Sequence, residues 1–120
     1  MRRGEVVLVD LDPVRPGEAS KRRPCVIVSN DGANTAAARL GRGAITVAPL
    51  TTSVASLHLE FQVPVVDETV LRAMGLSRPS KVQAEQVRSV SVERLGDTLG
   101  WTPPHVLRDI ENALRFHLSL

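Results

Sequence analysis

The stretch Thr102-Pro-Pro-His-Val-Leu-Arg-Asp-Ile-Glu-Asn-Ala-Leu-Arg-Phe-His-Leu-Ser-Leu120 decides the fold class. Val106, Leu107, Ile110, Ala113, Leu114, His117 and Leu118 recur at three- and four-residue spacing, with Arg108, Asp109, Glu111, Asn112 and Arg115 between them. That period lays an apolar stripe along one side of an α-helix. Thr102 is expected as the N-cap and Pro103 as the first helical residue, where a missing N–H leaves no bond unmade. His117, on the stripe, is expected to pack in the core.

Upstream of this helix the patterns are short and β-branched. Glu5–Leu11 carries Val6, Val7, Leu8 and Val9 and stops at Asp12-Pro13. Pro24–Ser29, Ala44–Leu50 and Leu59–Val65 read as three more strands. Asp31–Leu40, rich in alanine and closed by Gly41 and Gly43, predicts one or two helical turns. Val70, Leu71 and Met74 predict a helical turn ended by Gly75. Residues 80–90 predict a strand pair or one bent strand, Gly96-Asp97 a turn, and Thr98–Trp101 a last short strand. Strands followed by one terminal helix argue for an α+β fold, a curled antiparallel sheet or small barrel packed by the helix. At 120 residues the chain is expected to form a single domain, 1–120.

Composition excludes several classes. The only cysteine is Cys25, so no internal disulfide and no multi-thiolate metal site forms; within Pro-Cys-Val-Ile-Val it reads as a small buried hydrophobe. His58, His105 and His117 lack metal-ligand spacing, and no glycine-rich phosphate loop occurs, so neither metal nor cofactor is expected. No apolar run is long enough to span a bilayer, and Asp10 and Asp12 break any export signal, so a cytoplasmic protein is expected.

Net charge is only +2, yet it is unevenly placed. Between Arg15 and Arg42 lie six basic residues (Arg15, Lys21, Arg22, Arg23, Arg39, Arg42) against Glu18 and Asp31. Gathered at the loops between strands, such charge attracts a polyanion. Phe61, Trp101 and Phe116 are the only aromatics apart from histidine, so the stacking platforms of most single-strand binders are nearly absent. Arginines and polar groups would have to hold any RNA.

Four blocks in order carry a resemblance: Arg3-Gly-Glu-Val-Val-Leu-Val-Asp-Leu-Asp-Pro13; Gly17-Glu18 with Arg23-Pro24 before a hydrophobic strand; Val47-Ala-Pro-Leu-Thr-Thr-Ser53; and Gln83-Ala-Glu-Gln-Val-Arg-Ser89. Taken together the chain resembles the MazF/PemK toxin endoribonucleases. The resemblance implies an SH3-like small barrel with a C-terminal helix. It implies a homodimer that cuts single-stranded RNA, mainly mRNA, without a metal, and that a cognate antitoxin blocks with an acidic tail.

Metal-free RNA cleavage uses the ribose 2′-OH as nucleophile, so the protein must take its proton, stabilise the five-coordinate phosphorus and protonate the leaving 5′-oxygen. By the resemblance, Arg23 and Thr51 are the expected catalytic pair. The guanidinium fork grips a phosphate through two bonds, and with a pKa above about 12 it serves as charge stabiliser rather than proton donor. The Thr51 hydroxyl donates to a phosphoryl oxygen. The expected catalytic set also includes Glu18, to orient Arg23 or accept the 2′-OH proton, and Glu85, near the groove. Some relatives use an aspartate at the place of Glu85 with an arginine two residues before it; here that earlier residue is Gln83, which favours the Arg23–Thr51 version. Arg15, Lys21, Arg22, Thr52, Ser53 and Gln86 are the expected RNA contacts. Two alternatives stay open: a non-enzymatic, target-binding toxin like CcdB, whose Trp-Gly-Ile tail is replaced here by His117-Leu-Ser-Leu120, and an inactive paralogue that only binds antitoxin.

Overall fold

The computed structural model describes residues 1–11 and 22–120. Among these residues, in chain order, lie β1 (Glu5–Asp10), β2 (Arg22–Ile27), α1 (Asp31–Leu40), β3 (Ala44–Thr51), β4 (Gln62–Val65), α2 (Glu68–Met74), β5 (Ser80–Gln83), β6 (Arg88–Ser91), β7 (Leu95–Trp101) and α3 (Pro104–Leu118). All the strand pairings are antiparallel, in the order β4-β5-β3-β2-β1-β7, with β6 also on β3.

The longest strand, β3, bends the sheet by changing partners. Its first half, Ala44–Val47, pairs with β6, whereas Leu50 and Thr51 pair with β5. The 80–90 segment is therefore two strands, as expected, but each pairs with β3 rather than with the other. A one-turn 3₁₀ helix, Ala84–Gln86, joins them.

Side chains alternate across a strand, so a sheet covered on both faces needs consecutive apolar residues. Val6, Val26, Ala48 and Leu50 face one core with Val63, Val65, Val82, Leu71, Met74, Val106, Ile110 and Ala113. Val7, Val9, Cys25, Ile27, Ile45, Val47 and Val90 form the other, under Ala37 of α1. The unbroken Val6-Val7-Leu8-Val9 run is the sequence image of that double burial. Cys25 is fully buried.

Helix α3 buries Val106, Ile110 and Ala113, as its stripe requires, and burial of the Val106 and Ile110 side chains stabilises by about 1.5–3 kcal/mol each. Its start differs from expectation. Pro103 is the cap and Pro104 the first helical residue, while Thr102 Oγ1 is buried without a partner among the described residues. Two consecutive prolines shift the helix by one residue. His117 is exposed rather than packed, because the stripe outruns the sheet beneath it; Leu118 is exposed too.

Elsewhere α1 runs ten residues, longer than the expected one or two turns, with the Asn30 side chain accepting from the Ala33 amide at 2.8 Å. Gly96-Asp97 is not a turn but part of β7, which follows β1 through two register irregularities. β4 begins at Gln62, three residues later than the pattern suggested. Gly75, at φ 73°, ends α2 and packs against β7; a Cβ on Gly100 of β7 would lie 2.3 Å from the Ala73 carbonyl oxygen.

Candidate functional site

The site grows from the open end of the β2–β3 ladder. Cys25 pairs with Pro49, Val26 with Ala48 and Ile27 with Val47; continuing this register by two residues sets Arg23 across from Thr51. Both line one concavity of about 220 Å³, with Pro24, Leu50, Thr52 and Ser80. Pro24 restricts the residue before it to extended backbone, so Arg23 is held in strand geometry. Arg23 thus belongs to β2 rather than to a loop, and its side chain is exposed.

The Thr51 hydroxyl oxygen accepts from the Ser53 amide at 3.2 Å. Its own hydrogen is left to donate into the concavity. A backbone donor therefore holds the hydroxyl oxygen in place, and its hydrogen stays free to turn toward an anion.

Arg23 also lines a second concavity of about 210 Å³, with Leu11, Pro49, Gln83, Gln86 and Arg88. Arg88 sits on β6, opposite Val47 of β3. Two guanidiniums thus reach one depression from strands on either side of β3. Both bear on the Cys25 thiol and favour its ionised form, but burial outweighs them and pushes the thiol up to about 12. The ion pairs among the described residues join the Met1 amino group to Glu5, Arg2 to Asp31 and Arg3 to Glu111. Neither Arg23 nor Arg88 is among them, so no carboxylate of the described residues neutralises either charge on this face.

The other expected residues divide. Thr52 lines the first concavity and Gln86 the second. Ser53 is exposed and contributes its amide to Thr51. Arg22 does not join Arg23: on a strand the two alternate, and a Cβ on Gly96 of β7 would lie 3.8 Å from Arg22 Nη1. Glu85 lines neither concavity. Its Oε1 accepts from Gln62 Nε2 at 2.9 Å, and Oε2 is buried without a partner among the described residues. Arg15, Glu18 and Lys21 lie outside the described residues.

Among the lining residues that sequence reasoning gave no role are Arg88 and Ser80. Arg88 stood within a quoted block, but only the pairing of β6 with β3 brings it to Arg23. Among the described residues no three His, Cys, Asp or Glu side chains are grouped to hold a metal ion, and no helix is long and apolar enough to cross a membrane.

Comparison with known proteins places the chain in a family. A family profile described as "PemK-like, MazF-like toxin of type II toxin-antitoxin system" matches residues 2–118. Endoribonuclease MazF9 of Mycobacterium tuberculosis is 48% identical over 120 residues, covering 100% of this chain and 98% of the relative. A solved mycobacterial endoribonuclease in complex with its cognate antitoxin superposes with TM-score 0.75 at 26% identity, covering 100% of this chain and 96% of that one. A MazE–MazF complex from Deinococcus radiodurans shares the fold, with TM-score 0.76 at 22% identity over 100% of this chain and 96% of that one. The curled sheet with its terminal helix is thus the small-barrel fold of these toxins, and the chain belongs to the PemK-like, MazF-like toxin family of type II toxin–antitoxin systems.

Proposed function

We propose that this chain is an endoribonuclease that cleaves single-stranded RNA, mainly mRNA, without a metal ion, and thereby halts translation. It acts as one domain, 1–120, in a cytoplasmic homodimer, and a cognate antitoxin holds it in check. The observation that carries the reading is the shared concavity of Arg23 and Thr51, next to a second guanidinium, Arg88, with neither arginine in an ion pair among the described residues. The mycobacterial relatives named endoribonucleases, one of them solved with its antitoxin, support activity and partner.

In this reading the ribose 2′-oxygen attacks the adjacent phosphorus, its proton passes to a carboxylate, and the P–O5′ bond breaks as the leaving oxygen takes up a proton. The products are a 2′,3′-cyclic phosphate and a 5′-hydroxyl. Arg23 grips the non-bridging oxygens and offsets their growing charge. Thr51 donates its hydroxyl hydrogen to the same group. Glu18 is the proposed acceptor of the 2′-OH proton, because Glu85 is tied to Gln62 and lines neither concavity. Arg22, with its guanidinium beside β7, is left out of the scissile contact.

Incubation with a defined long RNA, with and without chelator, followed by mapping of 5′ ends tests the reading. Discrete cuts bearing 5′-hydroxyls and unaffected by chelator are expected. Intact RNA under all conditions refutes it and favours a toxin that only binds its target.

A further inference from the structure

Lys81 is 5% exposed, an unusual place for an ammonium. It stands on β5 directly across from Thr51 of β3 on one side and Pro64 of β4 on the other. No carboxylate pairs with it among the described residues. Its Nζ instead donates to the backbone carbonyl of Ser56 at 2.5 Å, in the segment that leaves Thr51 and returns at Gln62. A buried cation that spends its bond on a loop carbonyl gains nothing from charge pairing; what it provides is a fixed position for that loop.

A second anchor lies two residues on. The His58 amide donates to Gln62 Oε1 at 3.0 Å, and Gln62 Nε2 donates in turn to Glu85 Oε1 at 2.9 Å. Residues 52–55, all exposed, therefore span the gap between Thr51 and two pinned points, with Thr52 forming part of the Arg23 concavity.

We propose that Lys81 is a positioning residue: by latching the Ser56 carbonyl beside the Thr51 row, it fixes the 52–55 span as the wall against which the nucleotide next to the cut is held. This rests on the proposed RNA cleavage and assigns part of substrate selection to a residue that touches no RNA. Loss of the latch loosens the wall beyond Ser53, while Arg23 and Thr51 stay on their strands and the Ser53 amide keeps its local bond to Thr51 Oγ1, so it acts on substrate capture and choice rather than on the chemical step.

The test compares the full chain with Lys81→Met, which keeps length and apolar stem, and Lys81→Arg, which keeps a charged donor. Hydrogen exchange over residues 53–58 reads the latch without reference to activity, so its result stands even for a chain that cuts no RNA. Exchange there is expected to quicken about tenfold in Lys81→Met, in keeping with a lost charged hydrogen bond, and to be at least partly restored in Lys81→Arg. With an RNA oligonucleotide that the parent cuts, KM is expected to rise about tenfold with kcat within about twofold, and cuts to spread to neighbouring motifs. Unchanged exchange, a fall in kcat at constant KM, or a Lys81→Arg protein indistinguishable from Lys81→Met overturns the proposal. If Lys81→Met does not fold, Lys81→Gln replaces it; failure of both to fold makes Lys81 a core residue and equally overturns it.

Discussion

Arg23 on β2 and Arg88 on β6 line one concavity from the two strands that flank β3, and both guanidiniums bear on the buried Cys25 thiol. The pair defines a positive surface that no ion pair among the described residues neutralises. The two arginines are expected to fail differently. Arg23→Ala should lower kcat by about 10²–10³, the usual effect of removing one preorganised donor to a developing charge. Arg88→Ala should weaken RNA binding and reduce the salt slope by about 0.7, as loss of one phosphate contact to a single strand does. Both side chains are exposed, so thermal unfolding should be nearly unchanged. Cleavage and binding assays across a salt series check this; an Arg23→Ala protein cutting at the parent rate removes it from the site.

Thr51→Val tests the hydroxyl at constant shape. Valine suits a strand, and the released Ser53 amide lies in an exposed segment where water can replace the lost acceptor. A hydrogen bond to a charged group contributes about 1.5–3 kcal/mol, so kcat should fall roughly ten- to hundred-fold. Single-turnover cleavage at saturating enzyme measures it. A change confined to KM would assign Thr51 to binding alone.

Cys25 should be silent in the native protein. With the thiol pushed up to about 12, its thiolate fraction at pH 8 is on the order of 10⁻⁴, and thiolate is the reactive form. Iodoacetamide should therefore label it at the rate of global opening, rising steeply with urea. Labelling at the pace of a free thiol without denaturant would contradict its burial in the second core.

How much of this was readable beforehand depended on the range of the pattern. The α3 stripe is local, so Val106, Ile110 and Ala113 declared themselves, whereas His117 could be placed only by knowing where the underlying sheet ends. Gly96-Asp97 has turn composition, yet β1 recruits it into β7 through a bulged register that no window of sequence displays. Arg23 and Thr51 were named from a resemblance, and the β2–β3 register supplies the physical link between them. Arg22 and Arg23 sit side by side in a basic stretch that reads as loop, but both lie on β2, where alternation sends them to opposite faces. Arg88 stayed without a role because nothing in its own neighbourhood says that β2 and β6 flank the same strand.

Glu5 makes stability depend on pH. Burial alone would raise its carboxyl, but the Thr98 hydroxyl at 2.5 Å, the Met1 amino group and the Arg2 amide outweigh burial and hold it below the ordinary value. A folded value below the unfolded one gives a contribution that is complete above the unfolded pKa and lost as pH falls through the folded one. Urea midpoints of the parent should therefore drop between about pH 5 and pH 3, and this slope should be shallower in Glu5→Gln. Equal slopes in the two proteins would show that other carboxylates govern the acid limb.

Gly100 should tolerate no side chain. A Cβ there would sit 2.3 Å from the Ala73 carbonyl oxygen and 2.9 Å from the Gly75 nitrogen, both backbone atoms at the end of α2. A flexible side chain could turn aside, but backbone can yield only by moving α2 away from β7. That movement would open the core around Met74 and Leu71. Overpacking of this kind costs about 1–3 kcal/mol, and for a chain of this length each kcal/mol lowers Tm by about 3–6 °C. Gly100→Ala is therefore expected to melt about 3–18 °C below the parent by calorimetry, with RNA cleavage per folded molecule little changed because the site lies on β2, β3, β5 and β6. An unchanged Tm would mean that α2 and β7 do not meet at these two glycines.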